Sequence, residues 1–379
     1  MKISKKAVMS TVVAGTFTLS LLGFSSSAFA EKYEATFYVA GMGGHFAKAE
    51  VVIDTSHMEA PLRLKKLDKI DIGTRETHPV HDARIDAEDN NSMYWSTYKI
   101  DHSETFENVK VAHVGMTDLK TGNVVRDVIV DLPKEATKIG SLYCASAQTK
   151  DYFLPISMAN KGYIDVFQKS DLKRVQRIML EGTEGDIGKP YKFYHGTNSP
   201  DFKKLLITIN EAATDHGDLV GKMHLLELDM DEAIKGNVKV TNRGLATGTG
   251  GFLSFRQYYS PDGSMIANSG GNAMLLIDAK TLEVLDHEPM GTLEENHDAI
   301  FTPDSKYVIA TSRSKAVLPD CENPDKPGPD EFIMDGMLKL YDVSAKKFIG
   351  KSLSVCSACH QTEGVEEHAV LCGLDAKFH

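Results

Sequence analysis

A short unit recurs along this chain, and its recurrence limits the folds open to it. His297-Asp298-Ala299-Ile300-Phe301-Thr302-Pro303-Asp304-Ser305-Lys306-Tyr307 can be laid over His368-Ala369-Val370-Leu371-Cys372-Gly373-Leu374-Asp375-Ala376-Lys377-Phe378, with His, Asp, Lys and the aromatic in matching places. His81-Asp82-Ala83 repeats its opening. Tyr194-His195 before Pro200-Asp201, and Phe255-Arg256 before Pro261-Asp262-Gly263, are looser copies, and Leu142-Tyr143-Cys144 is looser still. Each copy is followed by further β-branched or alternating runs, which is the order of strands in a propeller blade. The chain is therefore expected to be all-β, a single β-propeller of six or seven four-stranded blades.

The strand runs are legible between turn residues. They include Met93–Ile100, Val109–Met116, Val124–Asp131, Tyr163–Phe167, Leu205–Asn210, Met223–Leu228, Met274–Ile277, Tyr307–Thr311 and Leu338–Val343. One short helix is expected around Asp231–Lys235. The last copy stops at His379 with one strand only, while Ala35–Ala40 and Ala49–Asp54 near the start read as strands. N-terminal strands are thus expected to join the C-terminal strand and close the ring, which removes its free edges. Residues 319–330 hold so much Pro and acid that a surface excursion is expected there, not a strand.

Lys2, Lys5 and Lys6 precede an apolar stretch from Ala7 to Phe24, and Ala28-Phe29-Ala30 supplies a small-x-small cleavage signal. Residues 1–30 read as a secretory signal peptide of bacterial style, leaving 31–379 as the propeller in the periplasm with no membrane span after cleavage. The formal net charge of -11 argues against nucleic acid, which needs a basic face, and suits docking to a basic redox partner. Five cysteines are few for an exported chain. Cys144, Cys321 and Cys372 can form one disulfide at most, once two others are committed elsewhere.

Those two are Cys356 and Cys359, in Cys356-Ser357-Ala358-Cys359-His360. Two thiols at this spacing reach the two vinyl groups of one porphyrin, and the next residue brings an imidazole under the iron. The expected cofactor is one covalent haem c, with His360 as the proximal iron ligand. A zinc half-site lacks its second ligand pair here, and a redox dithiol lacks the βαβ unit in which such pairs usually sit.

If the repeat is in register, His81, His297 and His368 fall at equivalent places around one mouth of the central channel, with His195 and Arg256 one step away. The haem motif enters the last blade on that side. His368, His81 and His297 are candidates for the distal haem ligand or for a second metal such as copper, and Met334 and Met337 are further candidates for the distal position. His195, Arg256 and His45 (after Gly41-Met42-Gly43-Gly44) are pocket candidates. The plainer reading stands beside these, since imidazoles near inner strands commonly tie blades together. His57, His102, His113, His216, His224 and His287 read as surface or turn residues. Gly248-Thr249-Gly250-Gly251 lacks the lysine of a phosphate loop.

With the Ser260-Pro261-Asp262-Gly263 turn, its variants at Pro200-Asp201 and Pro303-Asp304, and the haem motif, the chain resembles the bacterial periplasmic propellers typified by the haem-binding domain of cytochrome-type nitrite reductases and their stand-alone relatives. The haem motif is similar to that of c-type cytochromes, but it lies inside the propeller chain. The resemblance implies a periplasmic mono-haem cytochrome serving one-electron transfer in a respiratory chain, with a periplasmic redox protein as partner. Two alternatives are an oxidoreductase acting on a small-molecule substrate at the histidine-lined mouth and a non-redox binding propeller.

Overall fold

The computed structural model describes residues 31–41, 43–75, 77–98, 111–131, 142–157, 161–215, 217–248, 254–319, 327–355 and 371–379. The leader reading at 1–30 and the haem motif at 356–360, together with His368, Cys321, His102 and His216, lie outside them. The chain forms six four-stranded antiparallel sheets. The first three strands are β1 (Lys32–Gly41), β2 (His45–Asp54) and β3 (Leu62–Asp71). Blade one follows with β4 (Val80–Ile85), β5 (Ser92–Thr97), β6 (Val111–Asp118) and β7 (Val124–Asp131). Blade two holds β8 (Tyr143–Gln148), β9 (Tyr152–Ser157), β10 (Tyr163–Gln168) and β11 (Arg174–Met179). Blade three holds β12 (Tyr191–Asn198), β13 (Lys204–Ala212), β14 (Leu219–Asp229) and β15 (Val240–Thr247). Blade four holds β16 (Gln257–Tyr259), β17 (Met265–Ser269), β18 (Ala273–Asp278) and β19 (Val284–Pro289). Blade five holds β20 (Glu294–Phe301), β21 (Tyr307–Pro319), β22 (Pro327–Asp342) and β23 (Lys347–Ser354). The last strand, β24 (Leu371–Phe378), pairs with β1, so the sixth blade is β24-β1-β2-β3 and the ring closes as expected, at six blades.

Alternation drives the assembly. Along a strand successive side chains face opposite ways, so each blade offers one apolar face to each neighbour. In β18, Ala273, Leu275 and Ile277 pack toward blade three, whereas Met274 and Leu276 pack toward blade five. Six buried clusters result, one between each neighbouring pair of blades, including one across the closure where Phe37 and Val39 meet Ile309, Leu338 and Leu340. The inner strands β4, β8, β12, β16, β20 and β24 contact one another in that order around the channel.

The Pro-Asp turns join an inner strand to the next one out. In each, a hydroxyl holds the aspartate: Ser199 donates to Asp201 at 2.6 Å, Ser260 to Asp262 at 2.5 Å, and Thr302 to Asp304 at 2.8 Å. The residue after the aspartate takes a positive φ, at Phe202, Gly263 and Ser305. The helix is α1 (Met230–Ile234), capped by the Asp229 carboxylate accepting from the Glu232 amide.

Two expectations are corrected. Residues 327–330 are strand, because β21 and β22 run on past the rest of their blade as a two-stranded ribbon paired as far as Pro319 and Pro327. β20 pairs only to Ser314 and β23 only to Met337, so no third strand asks Pro327 or Pro329 for an amide proton. The overlay of 297–307 on 368–378 is out of register. Tyr307 opens β21, whereas Phe378 lies within β24 and pairs with Ala35. Counted from strand ends, the residue of β24 that matches His297 of β20 is Leu374. Lys and aromatics recur in both inner and second strands, and spacing alone cannot separate the two.

Candidate functional site

All six inner strands run the same way, so their first residues share one end of the channel and their last residues the other. His81 of β4 and His297 of β20 stand at the same level, four residues before the ends of their strands. His195 and Arg256 stand one residue further on in blades three and four. Arg256 decides the arrangement. It leaves blade four, crosses the channel and reaches blade one on the opposite side. There Nη2 donates to His81 Nδ1 at 2.9 Å and to the His81 carbonyl, and Nη1 donates to His297 Nδ1 at 3.2 Å. Its Nε lies 3.4 Å from Asp82 and 4.0 Å from Asp298.

Aromatic rings enclose this centre. Tyr98 stacks on His81 at 4.1 Å, Phe255 stacks on His297 at 4.2 Å, and the two imidazoles meet edge to face at 5.5 Å. His195 Nε2 lies 2.9 Å from the Cys144 thiol, and the ring also leans on the Ser254 backbone. All three histidines are 3% exposed or less, and Arg256 is fully buried. The sequence reading places His81 and His297 around a mouth of the channel, with His195 and Arg256 one step away. Instead these side chains fill the channel here, with Arg256 as the cross-piece.

Burial holds His81, His195 and His297 well below the ordinary imidazole range, and the nearby Arg256 and Arg313 guanidinium groups add to the effect at His81 and His297. A neutral ring here needs no counter-ion, whereas a second cation beside Arg256 would cost heavily. Burial pushes Asp298 up to about 7 and Asp375 up to about 6, against the pull of neighbouring arginines. Asp82 accepts a hydrogen bond from Ser146, Asp298 from the Leu374 amide and Asp375 from the Ile85 amide, so each carboxylate ties one inner strand to another.

Chemically, the centre offers neutral imidazole nitrogens and one fixed cation in a dry setting, which suits an anion or a moving proton. It suits a second metal ion poorly, since the Arg256 cation stands between His81 and His297 and already donates to Nδ1 of each. His45 opens β2 in the sixth blade with its Nδ1 near the Gly43 carbonyl. Gly44, at φ +81°, lets the backbone run against Thr74, where a Cβ would come within 2.6 Å of the Thr74 carbonyl carbon. β23 ends at Ser354 and β24 begins at Leu371, and both ends lie on the same face of the ring as the starts of the inner strands.

Three features were not read from the sequence. At the opposite end, where the inner strands finish, a cavity of about 460 Å³ touches all six blades, with Arg84, Gln148, Thr197, Tyr258, Phe301 and Asp375 in its wall. Arg84 donates from Nε to the Ser146 carbonyl and lies over the Tyr258 ring at 4.3 Å. Cys144 is a further residue of the histidine cluster, although its looser copy of the repeat did mark it. His113 was expected at the surface but is buried in β6 beside Asp127 and His78. Among the described residues no helix is long and apolar enough to cross a membrane.

No family model matches the chain, and no curated protein does. Solved structures do. A chain in "Crystal structure of Nidogen/Laminin Complex" is 12% identical, with a TM-score of 0.53 over 90% of this chain and 98% of that one. A chain of "Kuenenia stuttgartiensis Hydrazine Synthase" is 16% identical, with a TM-score of 0.42 over 71% and 63%. "Structure of Dos1 propeller" is 13% identical, with a TM-score of 0.43 over 81% and 66%. The first of these likenesses extends to the fold, and the other two are weaker.

Proposed function

We propose that this six-bladed propeller is a periplasmic mono-haem c-type cytochrome that passes single electrons in a respiratory chain. Cys356 and Cys359 would hold one haem c and His360 would ligate its iron. Bound haem supplies reversible one-electron iron chemistry. The observation that carries the reading is the position of the strand ends flanking the motif. Ser354 and Leu371 both lie on the face from which the inner strands enter the channel, toward the histidine cluster. Neutral imidazoles are the form that ligates iron. Arg256 donates to Nδ1 of both rings, and His81 is also engaged with the Cys144 backbone, so His297 is the better distal candidate of the two. The protein's own part is to keep those rings neutral and to exclude water from the centre.

A second reading has its own support. A buried guanidinium joined to two neutral imidazoles suits an oxidoreductase site for a small anion, with the haem feeding or draining electrons. Copper at His81 and His297 would have to displace Arg256 first.

A reduced-minus-oxidised spectrum of protein made in a host that matures c-type cytochromes tests the first reading. It should show a Soret band and sharp visible bands, and Cys356→Ala or Cys359→Ala should remove haem staining from the denatured protein band. Staining that persists in both variants would sink the attachment. Nitrite-induced spectral shifts lost in Arg256→Gln would favour the enzyme reading, and stoichiometric copper in metal analysis would restore the copper site.

A further inference from the structure

On blade one, away from the channel, His78, His113 and Asp127 come together. One ligand atom from each lies within 4.8 Å of the others. His78 Nε2 is 2.9 Å from one carboxylate oxygen of Asp127, and His113 Nδ1 is 3.0 Å from the other. The rings lie 4.3 Å apart, tilted by 51°. The three residues come from separate segments: the approach to β4, the start of β6 and the middle of β7. No spacing in the sequence joins them.

We propose that His78, His113 and Asp127 bind one divalent first-row transition metal ion, represented by Zn²⁺. Two imidazoles and a carboxylate are the donor set of open zinc and non-haem iron sites. The set brings one carboxylate and two imidazole nitrogens within reach of a single ion.

The donors are also held in place. His78 Nδ1 lies 2.8 Å from Thr77 Oγ1, which fixes the ring so that Nε2 faces the site. Trp95 meets the His78 ring edge to face at 5.9 Å, and Gly73 presses so close that a Cβ there would fall 2.3 Å from Nδ1. Trp95 in turn fits because it lies against Gly115, the residue paired with Asp127. The side chains of His78 and Asp127 stay 16% and 33% exposed, while His113 is 5% exposed. A protein set of three with one side toward solvent leaves the fourth position for water or an exogenous ligand.

Untagged full-length protein is stripped with a chelator, desalted and titrated with zinc sulfate, with bound zinc counted by plasma mass spectrometry. The expected result is about one zinc per chain. In Asp127→Asn and in His78→Gln, affinity should fall by more than the roughly 10–100-fold that loss of a supporting residue costs. Zinc should raise the melting temperature of the wild type and leave that of both variants unchanged, as binding to the folded state requires. Both variants alter partly exposed side chains, and far-ultraviolet circular dichroism checks that each is folded. Substoichiometric zinc in the wild type, or stoichiometric zinc kept by both folded variants, overturns the site.

Discussion

Arg256 reaches across the channel to His81, Nη2 to Nδ1 at 2.9 Å, and so ties blade four to the blade that faces it. The same guanidinium holds His297 on blade five and lies near the carboxylates of Asp82 and Asp298. A cation fully removed from water is tolerable only with such partners, and removing it strands the partners in turn.

Arg256→Gln should therefore lower the unfolding free energy by roughly 3–5 kcal/mol, the range for breaking a buried charged group away from its partners. Arg256→Lys keeps the charge but has no fork to span two imidazoles, and should recover only part of the loss. Urea midpoints for the three proteins check this. Full recovery by lysine would show that charge alone matters here.

The pH dependence follows from two opposed sets of groups. Asp298, lifted to about 7, keeps in the folded state a proton that the unfolded chain releases above about pH 4, so its contribution is complete below that value and fades as pH rises toward 7. His81, His195 and His297 are displaced the other way. The unfolded chain binds protons below about pH 6.5 that the folded one refuses, so their contribution is complete above that pH and lost as it falls. Asp298→Asn removes only the first set's main member. Between about pH 5 and 6.5 its stability should climb with pH more steeply than the wild type's, by about 1.4 kcal/mol per pH unit. Parallel curves from urea titrations would refute the burial-raised carboxyl.

Closure of the ring rests on β1. Phe37 is fully buried and meets Phe378 of β24 edge to face at 6.1 Å. Phe37→Ala should cost about 3–5 kcal/mol, as for other buried Phe truncations. The same cut at exposed Val125 should change the stability little. Thermal or chemical denaturation of the two variants makes the comparison, and equal effects would mean the closure does not hold the ring.

The single tryptophan reports on blade one. Trp95 is fully buried, its Nε1 donates to Thr117 Oγ1 at 3.0 Å, and its six-membered ring lies over Gly115. A Cβ at position 115 would come within 2.0 Å of that ring. Gly115→Ala should cost about 1–3 kcal/mol through overpacking and red-shift the tryptophan emission as the indole is pushed outward. Unchanged emission and stability would contradict this packing.

Much of the fold could be read directly because blade residues follow local rules. Val124–Asp131 is β7 to the residue, Asp231–Lys235 falls one residue from α1, and the Pro-Asp turns sit where inner strands hand over to their neighbours. Their signals are alternation, a capping carboxylate and a residue tolerant of positive φ. What failed was long-range register. Placing His368 opposite His297 required knowing which strand each copy of the repeat belonged to, and an aromatic after a lysine occurs in both. The strand at 327–330 was hidden for a similar reason, because proline is excluded from a sheet only where a neighbour needs its missing amide proton.

The amino-acid sequence determined the propeller, its closure by early strands and the identity of the histidines and arginine near the channel, since these depend on periodicity and on residues close in the chain. Tertiary structure alone decided that Arg256 fills the channel instead of rimming it, and that His78, His113 and Asp127 share one corner of blade one. The first depends on inner strands meeting around the ring and the second on strand pairing within one blade, in both cases across separations that leave no periodic trace in the order of residues.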